Sequence, residues 1–163
     1  MAKRADRAST RRRELSAIGY VRGPNAIGSA LGTQSRCIED YCKYRELDLT
    51  GIVVGVGTDN VQDDASLPLC ERQGGTQLLQ ILNDERQGHV VVASLDRLFL
   101  DTEDCLRAID DWRAHGITLH IAALAGSPLD SSSAFGRFML TAFAAFNEYA
   151  AACEREREKR GGH

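Results

Sequence analysis

The chain has 163 residues, of which 43% are hydrophobic and 26% are charged, with a formal net charge of −3. This length and apolar content fit one globular domain with its own core. The negative charge excludes a protein that coats nucleic acid through bulk positive charge. No apolar run approaches the roughly 20 residues that cross a membrane. We therefore expect a cytoplasmic protein with no membrane partner.

The N-terminal segment, residues 1–16, is basic. Between residues 3 and 13 a single acidic side chain, Asp6, lies among six cationic ones, which are Lys3, Arg4, Arg7, Arg11, Arg12 and Arg13. We expect this segment to be a disordered arm. Two interpretations stay open: the arm keeps the protein soluble, or it lies along DNA phosphates and releases their counterions.

Residues 17–130 alternate short apolar runs with segments of helical periodicity. The strand-like runs, rich in valine and isoleucine, are residues 18–21, 52–56, 90–95 and 117–122. Near-continuous apolarity is typical of strands that are covered on both faces. The β-α-β-α order predicts a parallel sheet between helices. The predicted fold class is therefore α/β, with a mostly parallel sheet of four to five strands, flanking helices and a long C-terminal helix.

Two further segments lead to separate predictions. Residues 57–75 are polar, lack periodicity and are too long for an ordinary loop, so we expect them to be mobile or functional. The segment after Asp101 has helical spacing, and its helix is predicted to end at Gly116 because glycine commonly terminates helices.

The last predicted element is a long helix over residues 131–161. Apolar residues recur in it every three or four positions, which predicts one apolar face, and its final turns are charged on all sides. We expect this helix to leave the domain body and to mediate self-association, although a core helix shows the same stripe. The predicted oligomer interface consists of Phe138, Met139, Ala142, Phe143 and Phe146.

Two arginines follow predicted parallel strands. Arg22 ends the first strand and Arg97 follows the third. Open α/β sheets bind ligands at the carboxyl ends of their strands, and arginine forks match phosphate oxygens. The pattern therefore predicts an anion site at this edge. Asp96 would orient Arg97 there, or the two form a structural ion pair.

The histidines and cysteines show no pattern that predicts a catalytic or metal site. His89, His115 and His120 lie far apart in the sequence, and no acid/base pair is evident. The five cysteines do not show metal-ligand spacing. We therefore predict neither a metal nor another cofactor.

Six segments, taken in order, resemble the catalytic domain of the serine recombinases (resolvases and invertases). Leu95-Asp96-Arg97-Leu98 matches the Leu-Asp-Arg-Leu signature of that family, and Ile18-Gly19-Tyr20-Val21-Arg22 resembles its first strand. The remaining segments are residues 34–42, 72–79, 129–140 and 155–161. Each motif is weak alone, but the ordered set spans nearly the whole chain.

The resemblance implies a specific activity. Family members cut DNA through a phosphoserine intermediate and exchange strands by subunit rotation within a tetramer, with neither metal nor ATP. By position, the residues that would surround and support the scissile phosphate are Arg22, Arg72, Asp96 and Arg97. Those on the helix that builds the dimer and contacts DNA are Arg155, Glu156 and Arg157.

Two departures from the family pattern concern catalysis. Pro24 occupies the position of the nucleophilic serine, and Leu100 stands where a second arginine is expected. Activating the attack and stabilising its charge are separate requirements, and both are compromised. No DNA-binding domain of the kind that follows in the family is expected before His163.

Three hypotheses follow for the function. The leading one is a degenerate recombinase domain that does not cleave and acts through self-association, as a dimer or tetramer, and through DNA or recombinase binding. The second is an active serine recombinase in which Ser29, five residues beyond Pro24, is a displaced nucleophile. The third is a regulatory partner that joins a related, active recombinase. The expected organisation is a basic arm at 1–16, a resolvase-like domain at 17–130 and the helix at 131–161.

Overall fold

The computed structural model describes residues 14–23, 29–56, 67–84, 87–99, 102–122 and 129–161. In chain order the elements are β1 (Ser16–Gly23), α1 (Ser29–Tyr44), β2 (Asp48–Val56), a 3₁₀ turn (Leu69–Glu71), α2 (Gln73–Asn83), β3 (His89–Val92), α3 (Leu95–Leu98), α4 (Thr102–Ala114), β4 (Thr118–Ile121), β5 (Leu129–Asp130) and α5 (Ala134–Gly161). Residues 1–13 of the expected arm and residues 57–66 of the long connection lie outside the described residues.

The five strands form one sheet in the order β2-β1-β3-β4-β5. Strands β1 to β4 run parallel to one another, and β5 pairs with β4 in the antiparallel direction. The predicted α/β fold class is thereby confirmed. Because β2 and β3 lie on opposite sides of β1, the strand order reverses between β1 and β3. The carboxyl ends of these two strands flank the crevice in which sheets of this type bind ligands.

Alternate side chains of β1 enter two separate cores. Ala17 and Val21 pack with α1 on one face, whereas Ile18 and Tyr20 pack into the larger cluster with α2 and α4. A strand buried on both faces has no polar face, which is why its sequence reads as a continuous apolar run. Burial of each aliphatic side chain contributes about 1.5–3 kcal/mol, so the side chains of β1 stabilise both cores.

The third predicted strand was assigned too far along the chain. β3 ends at Val92, and Leu95 belongs to the four-residue helix α3. Leu95 and Leu98 are both buried, and a spacing of three places them on one side of a helical turn. Extended backbone at Ser94 and Phe99 bounds the helix. Arg97 therefore lies in a helix, and its predicted place at a strand end is wrong.

Two glycines explain where neighbouring helices begin and end. A Cβ atom at Gly75 would overlap the carbonyl oxygen of Leu69, so only glycine lets the first turn of α2 pack against the 3₁₀ turn. The last part of the connection expected at 57–75 is therefore helical. Gly116 has a φ of 71° just after α4, as expected for a helix terminator.

The C-terminal helix α5 has 28 residues and packs against α4 and β5. Leu140 is buried in the larger core, and Met139 packs at its margin. In the described part of the chain, no helix combines the length and apolarity needed to cross a membrane.

Candidate functional site

Arg22 caps the short helix α3. From the penultimate position of β1, its guanidinium donates from Nε to the carbonyl oxygen of Arg97 at 3.2 Å and from Nη2 to that of Asp96 at 3.4 Å. The last carbonyls of a helix lack partners within the helix, so a cation is stabilising there. The contact joins the end of β1 to the segment that follows β3.

Arg72 reaches the same helix from the other side. It precedes α2, is only 1% exposed, and donates from Nη2 to the carbonyl oxygen of Leu98. Its Nε has no hydrogen-bond partner among the described residues, and the ion pairs found there do not include it. A buried guanidinium that lacks a carboxylate carries an uncompensated desolvation cost. Its environment therefore favours an anion.

Asp96 is held on both carboxylate oxygens. Oδ2 lies 2.6 Å from Nη2 of Arg97, and Oδ1 accepts a hydrogen bond from the Ser94 hydroxyl at 2.5 Å. The side chains of Asp96 and Arg97 are about a third exposed, at 38% and 37%. Asp96 thus orients Arg97 at the surface, where the guanidinium remains accessible to a ligand. Ser94 was not predicted from the sequence as part of this arrangement.

Gln34 fixes the end of β1. The amide N–H of Arg22 donates to Gln34 Oε1 at 3.1 Å, and Gln34 Nε2 donates back to the carbonyl oxygen of Arg22 at 2.9 Å. The side-chain amide acts as a neighbouring strand would, with one donor and one acceptor. Sequence reasoning gave Gln34 a place in a motif but no role, because only the structure shows which backbone it pairs with.

The structure therefore brings together four of the predicted site residues. Arg22, Arg72, Asp96 and Arg97 all contact α3 or belong to it, at the edge where the strand order reverses. Three guanidiniums and one carboxylate leave a net positive charge. This arrangement can bind a phosphodiester and stabilise charge that develops on its oxygens.

Several residues of the predicted site are not described. Pro24 and Leu100 lie outside the described residues, as does the side chain of Ser29, which is the first residue of α1. Arg155, Glu156 and Arg157 are exposed on the last turns of α5. Their assignment to DNA contact stays a prediction.

An aromatic stripe lies on the outer face of α5. Phe135, Phe138, Phe146 and Tyr149 are 64–68% exposed, at 66%, 67%, 64% and 68%. Ala142, on the same face, is also exposed. At 100° per residue these positions lie together, on the side of the helix away from buried Leu140.

Met139 of the predicted oligomer interface differs in burial from the exposed stripe. Its side chain is half-buried and packs against the core, and its place in an interface stays a prediction. The reason is its helical position, which lies between the stripe and the face that carries Leu140. The side chain of Phe143 lies outside the described residues.

Comparisons with known proteins agree with this architecture. Residues 17–163 match the family model described as the resolvase N-terminal domain. The N-terminal catalytic domain of TP901-1 integrase is similar, with a TM-score of 0.65 and 21% identity over 85% of this chain and 98% of that one. No protein with a curated description matches.

Two further solved structures are similar. A resolvase-family site-specific recombinase from Streptococcus pneumoniae gives a TM-score of 0.61 at 17% identity, over 90% of this chain and 95% of that one. The C-terminal catalytic domain of ISC1926 TnpA, an IS607-like serine recombinase, gives 0.52 at 15% identity, over 69% and 70%. At these identities the structures establish a shared fold.

Proposed function

Because the chain belongs to the resolvase N-terminal domain family, we propose that it is a recombinase-type domain that binds DNA phosphate and self-associates but does not cut DNA. The observation that carries the proposal is that the arginine cluster around α3 is present, whereas Pro24 directly follows β1 at the nucleophile position. The chain therefore keeps the arginines that would bind phosphate but has no hydroxyl at the position of the attacking serine.

DNA phosphate is the ligand that fits the cluster. Arg97 is oriented by Asp96 and accessible, and Arg72 has a buried Nε without a partner among the described residues. Guanidinium groups bind phosphate oxygens through charge-assisted hydrogen bonds, which are about twice as strong as neutral ones. A phosphodiester would supply an anion for Arg72, which forms no ion pair with the residues that the structure describes.

Cleavage through a phosphoserine intermediate requires a hydroxyl group, and Pro24 at the nucleophile position has none. The serine hydroxyl gives up its proton as its oxygen bonds to phosphorus, the bond from phosphorus to a sugar oxygen breaks, and the leaving sugar oxygen takes up a proton, so that no net proton is gained or lost. Proline has no hydroxyl to form the first bond, and its ring fixes φ at about −65°. Arginines alone can hold the phosphate, but they cannot attack it.

Self-association is assigned to the aromatic stripe of α5. Monomeric proteins rarely expose a contiguous apolar surface of this kind. The stripe runs over Phe135, Phe138, Phe146 and Tyr149 on a helix about 42 Å long. A second copy of α5, with its own stripe, is the partner that this surface fits.

A DNA-binding measurement tests the phosphate site. Arg97→Gln is expected to weaken binding to duplex DNA roughly tenfold, since a hydrogen bond to a charged group contributes about 1.5–3 kcal/mol. The slope of the logarithm of the binding constant against the logarithm of the salt concentration should become shallower by about one. Arg107→Gln makes the same charge change on α4, where Arg107 pairs with exposed Glu103, and should bind as wild type does. Equal binding by both variants would refute the phosphate site.

A second candidate, an active recombinase that uses Ser29, is favoured by one observation. Gln34 anchors α1 to the carboxyl end of β1, and α1 begins five residues earlier, at Ser29. Five residues span about 7.5 Å of helix, so Ser29 lies near this edge of the sheet. DNA cleavage by the wild type that is lost in Ser29→Ala would establish this candidate in place of the first.

A further inference from the structure

The aromatic stripe of α5 is symmetric in sequence about one alanine. Phe138 and Phe146 lie four residues before and after Ala142. Phe135 and Tyr149 lie seven residues before and after it. Four residues turn a helix about 40° past one full turn, and seven residues fall about 20° short of two turns. All five side chains therefore lie within about 40° of one line along α5, and reversing the helix about Ala142 places the stripe on itself.

The stripe faces away from the domain body and is large enough to form an interface. Leu140, which anchors α5 in the larger core, lies about 160° around the helix from Ala142. The four aromatic residues are about two-thirds exposed, and aromatic side chains bury about 150–250 Å² each. Two copies that cover each other's stripes would bury about 800–1,300 Å² in all, which reaches the lower end of the range for specific protein interfaces.

We propose that two copies of this chain associate through antiparallel α5 helices that cross at Ala142, with Phe138 of each copy against Phe146 of the other. The inference rests on the self-association in the proposed function and adds its geometry. A two-fold axis at Ala142 brings each residue to the level of the residue at the same distance on its other side. Phe135 therefore meets Tyr149 of the second copy. A two-fold dimer requires a surface that is complementary to itself in this way.

The residues nearest the axis fit a close approach of the two helices. Ala142 is exposed and small, and the distance between packed helices depends on the side chains at their contact. Met139 and Ala145 lie three residues before and after Ala142. In the antiparallel pair, the large, half-buried side chain of Met139 meets the small, exposed one of Ala145. Large side chains thereby lie opposite small ones beside the axis.

A parallel pair of helices fits the stripe less well. Each residue would then meet its own copy, so Met139 would face Met139 and Ala145 would face Ala145. The exposed charged residues of the last turns, such as Glu156, would also face their own kind, and like charges in an interface repel. In the antiparallel pair these turns lie beyond the first residue of the other α5, Ala134. Burial and charge therefore both favour the antiparallel orientation.

Two double variants of the full chain test the orientation through the sign of one charge. Phe138→Lys with Phe146→Glu places opposite charges at positions that meet in the antiparallel dimer, whereas Phe138→Lys with Phe146→Lys places like charges there. Both variants remove the same aromatic area from exposed positions. Sedimentation equilibrium should give a dissociation constant at least about tenfold lower for the first variant, because like charges that meet in an interface are costly. A higher salt concentration should reduce the difference.

The outcomes separate the orientation from self-association itself. In a parallel dimer position 138 meets position 138 and position 146 meets position 146, so both double variants bring like charges together. Equal dissociation constants of the two variants, beside a wild type that dimerises, would overturn the antiparallel arrangement and leave the proposed self-association standing. A wild type that stays monomeric at tens of micromolar would overturn both.

A photo-crosslink reports the orientation without adding a charge, and so decides the question if both double variants are monomers. p-Benzoylphenylalanine in place of Phe138 keeps an aromatic side chain in the stripe. A mixture of ordinary and nitrogen-15-labelled chains identifies the crosslinks that join two copies. Tandem mass spectrometry should place the attachment within about one helical turn of Phe146, at residues 143–149. Attachment at residues 135–141 of the second copy would contradict the proposal.

Discussion

The side chain of Gln34 and the main chain of Arg22 are joined by two hydrogen bonds, one in each direction. The amide of Arg22 donates to Gln34 Oε1, and Gln34 Nε2 donates to the carbonyl oxygen of Arg22. The guanidinium of Arg22 in turn caps α3. Gln34 on α1 therefore positions Arg22 on β1. Arg22 in turn positions α3, the helix that carries Arg97.

Replacement of Gln34 tests this relay. Gln34→Ala leaves a part-buried N–H and C=O of Arg22 without their partner, so we expect a loss of about 1–3 kcal/mol in the free energy of unfolding. Urea unfolding measures the loss. Gln77→Ala, at an exposed position of α2, is the matched control and should stay within about 0.5 kcal/mol of wild type. Equal stability of the two variants would show that the Gln34 contact does not hold β1.

Arg72 distinguishes a ligand-binding cation from a structural one. Arg72→Met keeps the length and apolar stem of the side chain while removing a charge that is 1% exposed. Without ligand, we expect a loss of at most about 1–3 kcal/mol in the free energy of unfolding, because the carbonyl oxygen of Leu98 loses its donor while the desolvation cost of the charge disappears. A loss above about 3 kcal/mol would assign Arg72 to structure.

The same variant should lose a response to anions. A ligand that binds only the folded state stabilises it in proportion to the logarithm of its concentration. Short duplex DNA should therefore raise the melting temperature of the wild type by more than that of Arg72→Met. An equal rise in both proteins would place the DNA contact elsewhere.

Cys42 predicts a loss of stability at alkaline pH. Burial raises the pKa of its thiol from 9.0 to about 11. The folded protein therefore holds this proton after the unfolded chain has released it. The contribution is complete below pH 9.0 and is lost as the pH rises towards about 11. A rise of about two pKa units corresponds to at most about 2.7 kcal/mol.

Urea unfolding at a series of alkaline pH values, on wild type and two variants, measures this contribution. Cys42→Ala should show a shallower decline in stability with pH than the wild type. Cys70→Ala, which changes an exposed thiol in the 3₁₀ turn, should keep the wild-type slope. Identical slopes for wild type and Cys42→Ala would contradict the role of the buried thiol.

The aromatic stripe predicts a specific change in oligomeric state. Phe146→Glu places a charge within the stripe, and burial of a phenylalanine contributes about 1.5–3 kcal/mol to association, so the dissociation constant should rise roughly 10- to 100-fold. Sedimentation at tens of micromolar protein measures it. Thr141→Glu, an exposed change about 100° around α5 from the centre of the stripe, should sediment as the wild type does. A monomeric wild type would remove self-association from the account.

The sequence predicted elements whose signal is local. β1, α4 and α5 follow from apolar periodicity, and Gly116 marks the end of α4 through a backbone conformation that glycine adopts readily. Leu95, the first residue of α3, was assigned to the preceding strand because it continues the apolar run of β3 and a short apolar run fits either period. Tertiary packing of Leu95 and Leu98 decides between the two.

The features that could not be predicted from the sequence depend on strand register or on contacts between segments that are distant in the sequence. The 2.9 Å hydrogen bond between the imidazoles of His89 and His120 requires the order of β3 and β4 and their relative offset, which no single segment contains. The burial of Arg72 brings it to the main chain of Leu98, which lies 26 residues further along the sequence. Arg22 and Arg97 were predicted as an anion site from their places after two strands, and Arg72 was added by the family resemblance. The capping of α3 was not predicted, because main-chain acceptors leave no trace in a sequence.

The most direct test of the account is a trap for covalent protein–DNA adducts. The protein is incubated with supercoiled DNA that carries candidate recombination sites from neighbouring genomic sequence, and the reaction is quenched in denaturant. A related active recombinase on its own site is the positive control. The account predicts an adduct in the control and none with this protein, because Pro24 offers no attacking oxygen. An adduct that peptide mass places on Ser29 would contradict it and would make the protein an active recombinase.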